Sequence, residues 1–217
     1  MSKRTADNID RLMDKAGAAL AKGDYFDCET LACEAMELSH ASRDWDRLAR
    51  LLMPLEEARR AKRLEAADTG NIFRIDSVDA LQEMTAIEPG CWLLEPLIVG
   101  AHGREFRAMA DSQRVPVLCI VREPETQLGA WPLAMLGPIV VRTQVTPPEG
   151  DEPDVPWFLA AAEAMGDEAI ESVPADLDPE VRVNKLMERL MTLRDHDELH
   201  QAVAQAARDA LRASAPA

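Results

Sequence analysis

The chain has 217 residues, is 47% hydrophobic and 4% aromatic, and carries a formal net charge of −15. That length accommodates one large domain or two small ones, and the apolar share excludes global disorder. The acidity is uneven: residues 149–217 hold 16 acidic and 6 basic groups, against 14 and 12 in residues 1–69 and 9 and 6 in residues 70–148. Such a balance argues against nucleic acid as a partner and against docking on anionic membranes.

In chain order, the first predicted helix runs from about Ala6 to Lys22, with Thr5 or Asp7 as cap. Ile9, Leu12, Met13, Ala16 and Leu20 recur along it at helical spacing. Gly23 ends it, because glycine accepts the left-handed backbone that closes a helix. Asp24 then caps a second helix whose inner face is Cys28, Leu31, Ala32, Ala35 and Leu38. A turn this short forces the two helices antiparallel. A third helix follows from about Asp44 towards Ala67, striped by Trp45, Leu48, Leu52 and Leu55. Pro54 should kink or restart it near Met53.

The turn Gly23-Asp24-Tyr25, followed by Cys28, Ala32 and Ala35, resembles the second half of a tetratricopeptide repeat. Leu12, Ala16 and Ala19 then fall at that family's packing positions in the first helix. The resemblance spans about one repeat, roughly 34 residues. It implies a TPR-like hairpin and, with it, protein–protein interaction. No second Gly-x-Tyr turn follows at repeat distance, so the third helix is expected to complete a single unit.

After Asp68-Thr69-Gly70 the period changes. Strands are expected at Ile72–Ile75, Cys91–Glu95 and 116–121, the last a nearly continuous apolar run suited to burial on both faces. Helices are expected between them, one from Asp76 or Ser77 through Ile87 and one from about Ala101 to Arg114. Segments 133–136 and 139–145 flank Gly137-Pro138 as a hairpin. Right-handed crossovers make the first strands parallel. A linker rich in proline and acid groups, 146–154, leads to helices starting at Pro156, at Asp178-Pro179 and at Asp195, where Asp195 and Glu198 form a capping box. The fold class is therefore mixed α+β, in three parts: a TPR-like helical unit (1–69), a small α/β domain (70–148), and an acidic linker with a helical tail (149–217).

Cys28, Cys33, Cys91 and Cys119 lack CxxC spacing and read as buried thiols in a reducing compartment. No segment is long and apolar enough to span a membrane, and the N-terminus lacks a signal-peptide core. Arginine outnumbers lysine 19 to 5, as in proteins of GC-rich bacterial genomes, so a bacterial cytoplasm is expected.

Three features bear on chemistry. His196 and His200 share a helix face at i and i+4, as zinc ligands do, but no third ligand is identifiable. Solvation among Asp195, Asp197 and Glu198 is the simpler account, and neither a metal nor a cofactor is assigned. The loop holding Arg122, Glu123, Thr126 and Gln127 follows a buried strand, where α/β sheets place ligands. There Arg122 could hold an anion and Glu123 act as a base. Gly100-Ala101-His102-Gly103-Arg104 sits between strand and helix, as a phosphate loop does, without GxGxxG or Walker spacing. His102 and Arg104 are expected to meet the Arg122 loop at one end of the sheet. The third helix is also locally basic through Arg59, Arg60, Lys62 and Arg63, either as a solvated, ion-paired face or as a dock for an acidic partner such as the chain's own tail.

The leading functional expectation is a non-enzymatic protein–protein interaction or scaffold protein with a protein partner. The alternative is a small-ligand binder or enzyme using His102, Arg104, Arg122, Glu123, Thr126 and Gln127. A third reading is homo-oligomer assembly through apolar faces left by the incomplete repeat.

Overall fold

A computed structural model describes residues 3–127 and 129–214. The fold is mixed α+β, with helices at both ends of the chain and two small sheets between them. Helices α1 (Lys3–Leu20) and α2 (Tyr25–Ala41) form the expected hairpin. Its turn uses Gly23 at φ +74°, and Asp24 caps α2 by accepting from the Asp27 amide at 3.3 Å. Helix α1 starts earlier than its cap signals imply, so Thr5 and Asp7 lie inside it. Helix α3 (Trp45–Asp68) is capped by Asp44 and continues through Pro54 without a break. The apolar stripe is anchored on both sides of the proline, by Leu51, Leu52 and Leu55.

Strands β1 (Ile72–Ile75), β2 (Gly90–Leu94) and β3 (Val117–Val121) form a parallel sheet in that order, with Phe73 opposite Trp92 and Trp92 opposite Cys119. Strand β2 is central and buried at every position, as a near-continuous apolar strand should be. The β1–β2 crossover contains α4 (Val78–Glu83), capped by Ser77 and shorter than its sequence suggests. The β2–β3 crossover contains α5 (Gly100–Ser112). Strands β4 (Trp131–Leu136) and β5 (Val140–Val145) make the predicted hairpin. One antiparallel bridge, Arg122 to Leu133, joins that hairpin to β3.

Helices α6 (Val155–Glu171), α7 (Pro179–Thr192) and α8 (Asp197–Ala213) close the chain. Asp154 and Asp178 cap the first two. The cap of α8 is His196, not Asp195: its Nδ1 accepts from the Leu199 amide at 3.2 Å. Helix α8 packs along α3, and β2 and β3 also meet α3. Buried side chains of all three sequence segments consequently join in one core, from Ile9 and Leu55 through Leu93 to Leu199 and Val203. Among the described residues, no helix is long and apolar enough to cross a membrane.

Candidate functional site

The carboxyl ends of β1, β2 and β3 bring three charged groups together. Arg74 donates to Glu95 Oε1 at 2.6 and 3.2 Å. Arg122 approaches the same oxygen at 3.5 Å and lays its guanidinium 4.3 Å from the Trp131 ring centroid. The sequence offered Arg122 as an anion holder, but its charge is committed to Glu95 and to an aromatic face. Glu123 turns to Arg142, at 3.1 and 3.2 Å, and its amide donates to the Pro132 carbonyl. Thr126 closes the turn on Ala130 through both its hydroxyl and its amide, while Gln127 is exposed. This loop therefore acts as the joint between β3 and β4.

The second predicted loop has a different geometry. His102 lies in the first turn of α5, where its Nδ1 accepts from the Val99 amide at 3.2 Å. Gly103 is required by packing, since a Cβ there would stand 2.4 Å from Val121 Cγ2. Arg104 is exposed, has no ion pair or hydrogen bond among the described residues, and borders an open cleft of about 410 Å³. Arg107, Asp111, Pro138, Thr192 and Arg194 also line that cleft. Among the described residues, no hydrogen bond or ion pair joins 99–104 to 122–127; Glu123 borders a separate depression beside Arg142 and Glu168.

Between β2 and α5 the chain exposes apolar side chains. Leu97 is 81% exposed and Val99 54% exposed. Leu97 also has φ +90°, a backbone region that a bulky L-residue occupies only under constraint. Such strain clusters at functional segments of folded proteins.

The densest electrostatics lie elsewhere, where the C-terminal helices meet α2, α3 and α5. Glu29 accepts from Arg59 at 2.8 Å, pairs with Lys62, and has Arg194 at 3.8 Å. Burial alone would raise its pKa, but Arg59, Lys62 and Arg194 outweigh that and hold the carboxyl well below the usual range. Asp111 bridges Lys62 at 3.3 Å and Arg194 at 2.7 Å. Arg107 reaches Asp195 at 3.0 Å and the Thr192 carbonyl at 3.2 Å. Asp197 receives Arg60 at 2.8 Å and Arg63 at 2.9 Å. Within the basic run of α3, Arg60 and Arg63 therefore meet acidic groups of the C-terminal segment, whereas Arg59 and Lys62 pair with Glu29 of α2 and Lys62 also with Asp111 of α5; Arg59, Lys62 and Arg63 are buried, not solvated. Two i,i+4 pairs, Asp46–Arg50 and Glu56–Arg60, also form along α3.

His196 and His200 are buried as well, against the expectation of solvation. They do not converge on one point. His200 Nδ1 meets the His196 carbonyl at 2.8 Å, and its Nε2 faces Arg59 at 3.2 Å, so the ring is a neutral acceptor for a guanidinium. Burial, helped by Arg59, pushes its pKa down to about 3. The four thiols are unpaired. Burial pushes Cys28 and Cys91 up to about 11 and Cys119 up to about 12, and a protonated thiol is a poor nucleophile.

No protein-family model matches the chain, and neither a curated protein nor a solved structure matches it. The arrangement therefore has to be interpreted from its own residues.

Sequence reasoning missed Glu95, Glu29, Arg107 and Leu97. The first three carry no local signal, because each gains its meaning from a partner at least 20 residues away. Leu97 did leave a trace: Pro96-Leu97-Ile98-Val99 is an apolar run after a strand end, with no polar residue to face water.

Proposed function

We propose that the chain is a non-enzymatic protein–protein interaction or scaffold protein of a bacterial cytoplasm, and that the β2–α5 loop is its contact surface. The observation that carries this reading is Leu97, exposed at 81% while held at φ +90°. Folding gains almost no burial from that side chain and retains a strained backbone to present it. An exposed aliphatic pair with Val99 is the kind of apolar anchor that interfaces use. Supporting it, the polar groups of the neighbouring loop are engaged in structural pairs, and the buried thiols are held protonated. The TPR-like hairpin belongs to this reading as a platform for the rest of the fold. Its third helix is covered by α8 and the sheet, so a peptide groove of the repeat-array kind is not part of the proposal.

The test is affinity capture with the intact chain and a Leu97→Asp variant, compared quantitatively. Partners that depend on the loop are lost in the variant while its fold is unchanged. Equal recovery of every partner by both proteins refutes the assignment of this surface.

A second reading, a small-ligand binder, is favoured by one observation: Arg104 brings an unpaired guanidinium to the cleft beside Pro138 and Met191. An anionic ligand that shifts the thermal midpoint of the wild type, but not of Arg104→Gln, would support it over the first.

A further inference from the structure

The junction of α6 with the start of α8 holds a second cluster that the interaction reading does not use. Gly166 on α6 makes room for it, because a Cβ at that position would stand 2.1 Å from the Cγ and Cδ2 atoms of His196. The imidazole is therefore packed flat on the helix backbone, and its side chain is only 3% exposed. One ring nitrogen, Nδ1, faces the Leu199 amide. The other, Nε2, is buried and has no hydrogen-bond partner among the described residues.

Three carboxylate oxygens surround that nitrogen: Glu163 Oε2 at 3.1 Å, Asp167 Oδ1 at 3.5 Å and Glu198 Oε2 at 3.6 Å. These contacts are close in distance, yet none lies on the line of the ring N–H, so none is a hydrogen bond. The pattern is what ligands around a shared ion show. Zinc bonds to nitrogen and oxygen of about 2.0–2.2 Å place tetrahedral ligands about 3.3–3.6 Å apart. The ligand atoms of Glu163, His196 and Glu198 also lie within 4.8 Å of one another. Glu163 and Asp167 stand one turn apart on α6, and His196 and Glu198 flank the first residue of α8.

We propose that this cluster is a divalent transition-metal site of the zinc class, with His196 Nε2, Glu163 and Glu198 as its protein ligands. The donor set of one imidazole and several carboxylates suits zinc better than magnesium or calcium, which take oxygen alone. Arg63 supplies the outer contact that orients a ligating carboxylate, donating to Glu163 Oε1 at 3.2 Å and leaving Oε2 for the ion. A dication also offsets three carboxylates gathered around one point. Its ligands come from both elements, so an ion there would tie α6 to the start of α8.

Binding has a visible cost. A neutral ring that gives Nε2 to an ion carries its proton on Nδ1, which can no longer accept from Leu199. The Leu199 amide is thus a reporter that unspecific binding to exposed acids would leave unmoved.

The experiment uses the full chain after chelator treatment, titrated with zinc chloride by calorimetry, with magnesium as comparison and cobalt for its tetrahedral absorption. His196→Asn removes Nε2 and keeps a side chain that caps helices well. Glu198→Gln changes an exposed group and serves if the first variant folds poorly. The expected result is saturable zinc binding at one ion per chain, tetrahedral cobalt absorption, and a changed Leu199 amide signal. Each variant should weaken zinc binding by about tenfold or more, the scale on which metal-site contacts count. Absence of saturable binding up to about 1 mM zinc, or equal binding by wild type and Glu198→Gln, would overturn the site.

Discussion

Replacing Glu29 with Gln tests the buried network that ties the C-terminal helices to the N-terminal unit. The change is nearly isosteric, so it removes charge without opening a cavity. It leaves Arg59, Lys62 and Arg194 facing one another with Asp111 as the nearest remaining carboxylate. Breaking one partner out of a buried pair costs roughly 3–5 kcal/mol. For a chain of this size that corresponds to a fall of about 6–20 °C in Tm, at about 2–4 °C per kcal/mol. The sign of the pH dependence follows from the depressed pKa of Glu29. Its contribution is fully present above the unfolded carboxylate value of about 4.3 and is lost as pH falls from there towards the folded value. Urea denaturation at pH 7 and at lower pH should therefore show a wide gap between wild type and variant that narrows below about pH 4. Arg43→Gln, which removes the exposed pair with Glu180, serves as a control and should change stability little. A gap under about 1 kcal/mol at pH 7, or one that stays constant down to about pH 3, would refute the reasoning.

Other consequences are as direct. Gly137→Ala places a Cβ 2.5 Å from Thr192 Oγ1 and 2.8 Å from Thr192 Cα; chemical denaturation should show a loss of about 1–3 kcal/mol from overpacking. Leu97→Gly relieves the positive φ and gives up almost no buried area, so its midpoint should rise, by about 1 kcal/mol of stability. The thiols of Cys28, Cys91 and Cys119 should react with a disulfide reagent near pH 8 only as the chain unfolds, because burial holds them protonated. Rapid labelling of any of the three in the native protein would contradict their placement.

Much of the fold was legible because its signals are local. Gly23 and the caps Asp24, Asp44, Ser77 and Asp178 act within three residues of themselves. The apolar run at 117–121 needs only its own composition to read as a buried strand. Whether Pro54 would interrupt α3 was not legible, for the opposite reason. Its effect on α3 is decided by Leu51, Leu52 and Leu55, which anchor the stripe around it. The loops were legible only in part, because an unpartnered residue and a partnered one look alike in a sequence. The partners of Arg122 and Glu123, Glu95 and Arg142, stand too far off in the chain to be read beside them. Gly103 resembled part of a phosphate loop, yet the helix needs it to approach Val121. The two histidines resembled a pair, but their rings face different neighbours: His200 towards Arg59, and His196 towards Gly166 and the carboxylates of α6.

The central claim is that the β2–α5 loop presents Leu97 to a protein partner. It is tested most directly by measuring binding of a purified partner, identified through affinity capture, to the intact chain and to Leu97→Asp. The account predicts that the variant folds with an unchanged midpoint and binds at least about tenfold more weakly, the loss of an apolar anchor worth about 1.4 kcal/mol or more. Equal affinity of the two proteins would contradict it.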